Sequence, residues 1–259
     1  MKQVRMEAQS VDKEQQKAFP YFDMHLHILP GIDDGSKSID ETRKMLTMER
    51  EQGVRCLCAT PHFSVSCQKA KADFLEVYWK VSEMMREDFP DMRLYMGQEI
   101  FYAPGAISAL SKKEALSLNG SRYVLVEFHP EEAYANLYHS LQELGREGYI
   151  PVLAHVERLS CLWRNRERLD ELKAMYIPFQ MNTSSLTGAR FDPALRYCRK
   201  LVSQGYIDLL GTDAHGSIYR PPDYKAAACW IEEYCGKEAL YRMAFQNPAA
   251  ILNDELLKT

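Results

Sequence analysis

Seven short apolar or β-rich runs punctuate the chain: YFDMH (21–25), VRCLCAT (54–60), RLYMGQE (93–99), YVLVEF (123–128), YIPVLAH (149–155), YIPFQMN (176–182) and YIDLLGTD (206–213). Helical patterns separate them. The clearest lies in SIDETRKMLTMEREQG, where Ser38 is placed as N-cap, Glu41 completes a capping box, and Gly53 is the stop. Further helices are predicted in ADFLEVYWKVSEMMRED, ANLYHSLQELGREG, RERLDELKAM, PALRYCRKLVSQG and DYKAAACWIEEYCG, several closing on a glycine before the next strand. Near-continuous apolar strands alternating with helices describe a parallel sheet buried on both faces. No linker, repeat or low-complexity tract divides the chain. The expected fold is α/β: a single-domain, distorted (β/α)7 barrel over residues 21–259, TIM-like with seven strands in place of eight. Residues 1–20 form a polar N-terminal extension.

A length of 259 residues is ordinary for one such barrel. A hydrophobic content of 46% with 26% charged residues suits a soluble chain with a large core. The formal net charge of −4 offers no basic surface in bulk, so nucleic acid is not an expected partner. No apolar stretch reaches the length of a membrane span. The polar N-terminus lacks the apolar centre of a secretory signal, which makes the cytoplasm the expected compartment. Seven cysteines, an odd number without C-x-x-C spacing, argue for buried thiols such as Cys56 and Cys58 rather than disulfides or a zinc knuckle.

The chemistry gathers at the strand ends. DMHLHILPGIDDG ends the first strand with His25 and His27, and an i, i+2 spacing in an extended strand points both to one face. His62 follows the second strand in ATPHF, Glu99 ends the third in GQEI, and Glu127 ends the fourth in LVEF. His155 ends the fifth in LAHVER, and Asp213 with His215 ends the seventh in GTDAH. The carboxyl ends of barrel strands are where such folds build their active sites. A charge at the end of an apolar strand is costly unless something compensates it. Any one of these residues is explained as a satisfied polar group; together on one rim they point to metal. Mixed imidazole and carboxylate donors suit manganese, iron or zinc better than calcium or magnesium. With Asp34 or Asp33 added, the ligands are too many for one ion and match two or three, with a carboxylate such as Glu99 bridging.

In order, D-x-H-x-H, P-H, a strand-end Glu, E-F, A-H-x-E-R and D-A-H resemble the polymerase and histidinol phosphatase (PHP) superfamily. Within it, HILPGIDDG, SLNGSRYVLVEF, PVLAHVER, SSLTG, TDAH and NPAAILNDE look like the bacterial metal-dependent tyrosine-protein phosphatases of capsule and exopolysaccharide systems. The resemblance spans about residues 21 to 255. It implies that His25, His27, Glu99 and Asp213 surround one metal, and Glu99, Glu127 and His155 a second. His62, His215 and an aspartate of DDG surround a third, Asp34 being the better match and Asp33 the alternative. It also implies two to three divalent ions, manganese first with iron or zinc behind, and phosphate-holding roles for Arg158 and Arg220. The expected substrate is a phosphotyrosine protein, a bacterial tyrosine kinase. The chain departs from the family in EFHPEEAY, where His129 replaces the usual proline and is read as a loop residue; His139 falls on a helix surface.

The reaction so implied is hydrolysis of phosphotyrosine by a metal-bound hydroxide, with no phosphoenzyme. Arg158 and Arg220 meet the developing charge, and a metal, His62 or an aspartate such as Asp34 assists the leaving group. A thiolate mechanism is excluded, since no cysteine stands in a C-x-x-x-x-x-R spacing, and no phosphate loop of the G-x-x-x-x-G-K-[ST] type occurs. SSLTG is read as a βα turn with an N-cap. Two rivals remain: a PHP-type phosphatase of a small ester such as histidinol phosphate or a nucleotide, and a non-catalytic metal-binding regulatory module. The loops ILPGIDDGSKS and FSVSCQKAK line the mouth in either enzymatic case.

Overall fold

A computed structural model describes residues 19–66, 71–189 and 191–258. The predicted extension lies outside the described residues up to residue 18, and so do residues 67–70 of the FSVSCQKAK loop. The elements run β1 (Tyr21–Leu26), α1 (Ile39–Glu51), β2 (Val54–Ala59), β3 (His62–Phe63), α2 (Lys71–Asp88), β4 (Arg93–Met96), β5 (Glu99–Phe101) and α3 (Ala106–Ser111). They continue β6 (Tyr123–Glu127), α4 (Tyr134–Arg146), β7 (Ile150–Leu153), α5 (Arg166–Ala174), β8 (Gln180–Asn182), α6 (Pro193–Ser203), β9 (Leu209–Gly211) and α7 (Tyr224–Cys235). The chain finishes with α8 (Lys237–Tyr241), a π turn at Arg242–Gln246, and α9 (Asn247–Leu252).

These strands make seven parallel staves. β1 pairs with β2, and β2 with β4. β3 continues β2 beyond Pro61, and β5 continues β4 beyond Gly97 and Gln98; the pair β3–β5 keeps the same two staves side by side. Hydrogen bonds carry the pairing through the break, from Gly97 N to Ala59 O (2.9 Å) and from Glu99 N to Pro61 O (3.1 Å). β5 pairs with β6, β6 with β7, and β8 with β9. Single bridges, Leu153 with Phe179 and Leu26 with Ala214, join β7 to β8 and the end of β9 back to β1. The bonds Asp213 N to His25 O (2.7 Å) and His27 N to Ala214 O (2.9 Å) reinforce that last join, so the staves link all the way round.

The larger apolar core lies between staves and helices, with Val124, Val126, Leu153 and Met181 meeting Leu137, Leu141, Leu172 and Leu201. Alternate strand residues form a smaller inner cluster: Phe22, Met24, Cys56, Cys58, Tyr123, Leu125 and Val152, joined by Ile251 and Leu252 of α9. The last turns are tied to the 3-10 turn before β6 by Asn119 Nδ2 to Leu252 O (2.9 Å) and to β6 itself by Tyr123 Oη to Glu255 O (2.9 Å).

Several sequence expectations shift. RLYMGQE is two strands: a side chain on Gly97 would sit 2.8 Å from Leu118 Cδ2, and the chain leaves regular strand there while keeping its register, Ala59 facing Met96 and His62 facing Glu99. His62 lies within a strand, and Glu99 begins one rather than ending one. The strands predicted over 176–182 and 206–213 shorten to three residues each. α1 is capped by Ser38, but Glu41 Oε2 reaches back to Lys37 N (2.8 Å) rather than to the cap residue's own N–H. SSLTG is a 3-10 turn, and α6 takes its cap from Asp192. α3, α8 and α9 carry no periodicity long enough to predict.

Gly211 is what brings β9 against β1. An added Cβ would lie 2.5 Å from His25 Cβ and 3.0 Å from His25 N. Gly211→Ala is therefore expected to cost about 1–3 kcal/mol by overpacking, read from urea unfolding of the metal-free protein. An unchanged midpoint would contradict this account of closure.

Candidate metal centre

The site begins with the backbone after β1. Ser36 N donates to His27 O (3.0 Å), folding DDG back over His27. Only glycine fits at 35, since a Cβ would stand 2.2 Å from His27 O and 2.4 Å from His27 Cβ. The turn delivers Asp33 beneath the histidine: its Oδ2 accepts from His27 Nδ1 (2.7 Å) and His62 N (3.0 Å), and its Oδ1 from Gly35 N (2.9 Å). Asp34 points outward and is 67% exposed. β1 is irregular here, with a register shift between Asp23 and Leu26, yet His25 and His27 still converge, their Nε2 atoms 3.4 Å apart.

At the centre stands Glu99, 0% exposed. Its Oε1 lies 2.8 Å from His155 Nε2. Its Oε2 lies 2.9 Å from His62 Nδ1, 3.2 Å from His25 Nε2 and 3.3 Å from His27 Nε2, yet has no aligned hydrogen-bond donor. Asp213 Oδ1 is 3.6 Å from His25 Nε2 and 3.5 Å from His27 Nε2. Candidate ligand atoms gather in three sets: His25, His27, Glu99 and Asp213; His62, Glu99 and Glu127; and His27, Asp34, His62 and His215. Asp34, not Asp33, belongs to the last, its Oδ1 3.4 Å from both His62 Nε2 and His215 Nε2. His155 reaches the same carboxylates as the second set, at 2.8 Å from Glu99 and 3.4 Å from Glu127 Oε1.

Both arginines sit beside this rim. Arg158 Nη2 (2.8 Å) and Arg220 Nη2 (2.5 Å) donate to Asp213 Oδ2. His129 is an exposed loop residue that accepts from Glu131 N, and His139 lies on the surface of α4 beside Glu143. Sequence reasoning missed Gln180 and Asn182, the amides of β8. Asn182 Nδ2 also donates to Asp213 Oδ2 (2.8 Å). The available signal was two polar residues at i, i+2 in a buried strand, the same spacing as His25 and His27. Three functional positions have positive φ: His155 (29°), Asp213 (52°) and Arg220 (48°).

Burial alone would strip His27 of its proton, but the neighbouring carboxylates of Asp213, Asp33 and Glu99 outweigh it and hold its pKa well above the usual imidazole value. Burial opposes His155 in the same way, and Glu127 and Glu99 push it up to about 10. Burial would raise Glu99, yet the imidazoles led by His25 hold it well below the ordinary carboxylate range; Asp213 is lowered likewise. His215 goes the other way: burial, His27 and Arg220 push it down to about 4, which leaves it unprotonated. A buried carboxylate oxygen without a donor, faced by three imidazoles, fits a divalent ion held by mixed nitrogen and oxygen ligands.

A family model for capsular polysaccharide synthesis, CpsB/CapC, matches residues 21–253. The tyrosine-protein phosphatase CpsB of Streptococcus pneumoniae is 30% identical over 245 residues, covering 91% of this chain and 99% of that protein. The tyrosine-protein phosphatase YwqE of Bacillus subtilis is 30% identical, covering 91% and 92%. A crystal structure from work on those two proteins, described as unique metal-dependent tyrosine phosphatases, superposes with a TM-score of 0.83 at 28% identity over 92% of this chain and 96% of the other. The Lactococcus lactis histidinol phosphate phosphatase shares the fold, with a TM-score of 0.55 at 16% identity over 85% and 93% of the two chains.

Since His27 and His155 hold protons that an ion must displace, divalent binding is expected to release protons. The apparent affinity should weaken as pH falls below about 10, the value to which His155 is raised. Calorimetry of Mn2+ binding in buffers of different ionisation enthalpy reads the proton count, and a pH-independent isotherm would refute it.

Proposed function

The chain belongs to the CpsB/CapC family of capsular polysaccharide synthesis, and from that membership we propose a metal-dependent protein-tyrosine phosphatase acting on phosphotyrosine proteins of the capsule or exopolysaccharide machinery, a bacterial tyrosine kinase first among them. The observation that carries the reading is Glu99 Oε2, buried without a donor among three imidazoles while two arginines stand beside the same cluster. Residues 21–259 are taken as one catalytic unit, with residues 1–20 an appendage.

His25, His27, Glu99 and Asp213 would hold one ion, and Glu99 and Glu127 with His62 or His155 a second. Asp34, His62 and His215 would hold a third. Manganese is the first choice and iron or zinc the next, as the mixed donors suit. Ions so held supply positive charge for the phosphoryl oxygens and an activated water as nucleophile.

The chain's own part is to grip and orient. Arg158 spends one Nη2–H on Asp213 Oδ2, which leaves the rest of its planar fork for phosphoryl oxygens; Arg220 gives Nη2–H to the same oxygen and places Nη1 3.2 Å from His215 Nε2, so it offers fewer N–H groups. The departing phenolate has a parent pKa near 10 and needs little proton donation. His62 (39% exposed) and Asp34 stand at the mouth, where a leaving group departs. That open mouth, with Tyr219 78% exposed next to Arg220, supports an extended protein substrate over an enclosed metabolite. The cytoplasm is the proposed compartment, and the buried, unpaired Cys56, Cys58 and Cys198 suit a reducing one.

Elemental analysis paired with phosphate release from a phosphotyrosine peptide and from histidinol phosphate tests the reading. Two to three bound ions and chelator-sensitive release from the peptide are expected. Release from histidinol phosphate alone would move the substrate to small esters, and metal-free protein that still hydrolyses the peptide would overturn the site. Arg158→Ala should lower kcat/KM by roughly 10–100-fold, the worth of one hydrogen bond to a charged group. Steady-state kinetics on the same peptide check it.

A further inference from the structure

β8 gives the rim no charged side chain, yet Gln180 is 0% exposed and touches three of the rim's members. Its Oε1 lies 2.7 Å from His155 N and 3.1 Å from His25 Nδ1, and its Nε2 lies 3.0 Å from Asn182 Oδ1. The donor inventory fixes the whole chain of contacts. A backbone N–H can only donate, so the Gln180 atom facing His155 N is the oxygen. The same oxygen faces His25 Nδ1, which must therefore carry a hydrogen. That leaves the His25 lone pair on Nε2, the nitrogen beside Glu99 Oε2 and Asp213 Oδ1. At the other end, the Gln180 amide nitrogen can only donate, so it turns Asn182 Oδ1 toward itself. Asn182 Nδ2 is then aimed at Asp213 Oδ2, the oxygen that both arginines share.

We propose that Gln180 is a positioning residue with two outputs: it sets the metal-ready tautomer of His25, and through Asn182 it orients the carboxylate that holds Arg158 and Arg220. The second output rests on the phosphatase reading, while the first concerns metal binding alone. His27 and His215 are set by other partners, Asp33 Oδ2 and the Asp213 carbonyl, each accepting from Nδ1. Gln180 does for His25 what those groups do for their histidines, and it is the one of the three that is neutral and also donates. A glutamate at this position keeps both oxygen contacts but cannot donate to Asn182. The two outputs therefore come apart in one substitution.

The test uses Co2+ titrated into metal-free protein, followed by its visible absorption, with long-range 1H–15N spectra of histidine-labelled protein to read ring tautomers. Gln180→Leu is expected to weaken Co2+ binding by roughly 10–100-fold, as loss of an outer partner of a metal ligand does, and to abolish one Nδ1–H signature. Gln180→Glu is expected to restore both while leaving the KM for a phosphotyrosine peptide raised. Asn182→Leu is expected to keep the His25 Nδ1–H signature with the same raised KM. Wild-type Co2+ affinity in Gln180→Leu, or Gln180→Glu binding as weakly as Gln180→Leu, would overturn the tautomer role. A wild-type KM in Gln180→Glu would overturn the link to the arginines. Should Gln180→Leu not fold, the Nδ1–H signature in Gln180→Glu decides, retained for the proposal and lost against it. Should the peptide not be hydrolysed by the wild type, the phosphatase reading fails, and the Co2+ isotherms still judge the tautomer role.

Discussion

Burying Glu99 where three staves meet, with one oxygen facing three imidazoles and no donor aligned on it, demands positive charge at that point. Removing a carboxylate from water is expensive, and protons on the surrounding histidines meet the demand only partly. The depressed pKa values of Glu99, Asp213 and Asp33, beside the raised values of His27 and His155, are one balance seen from both sides. Much of the nearby structure follows from keeping those side chains in place.

Around the ligand atoms runs a tighter layer of packing. Gly35 lets a turn lie against His27, and Gly211 lets β9 lie against His25, both at distances that no Cβ tolerates. Below, Asp23 accepts from His25 N (3.1 Å) and Thr212 N (3.0 Å), tying the first stave to the last directly under the histidines. Closure of the ring and placement of the ligands are thus achieved by the same few residues. A helix-lined parallel barrel supplies the rigid frame, and the strand ends supply the chemistry.

The sequence disclosed most of this where signals were strong. Charged residues at the ends of apolar runs marked His25, His27, Glu127, His155, Asp213 and His215, because a buried strand otherwise excludes them. The break in RLYMGQE was hidden, since Gly97 departs from regular strand to accommodate Leu118, a neighbour distant in sequence. Asp33 and Asp34 are adjacent and chemically alike; only the turn geometry assigns one to His27 and the other to the mouth. Gln180 and Asn182 were passed over because neutral amides in a strand carry no electrostatic cost large enough to attract notice. The short helices near the C-terminus are held by contacts with the turn before β6 and the inner cluster, which no local period records.

The positive φ angles of His155, Asp213 and Arg220 bear on how this barrel can be made more durable. Side chains in that left-handed region cost of order 1–3 kcal/mol each, and glycine would relieve the backbone. At these three positions any gain in backbone ease deletes a side chain that reaches the rim. Hardening the protein without emptying its rim can start instead from exposed Tyr176, left-handed (60°) ahead of β8, and from outer helix positions such as Trp79 and Tyr234.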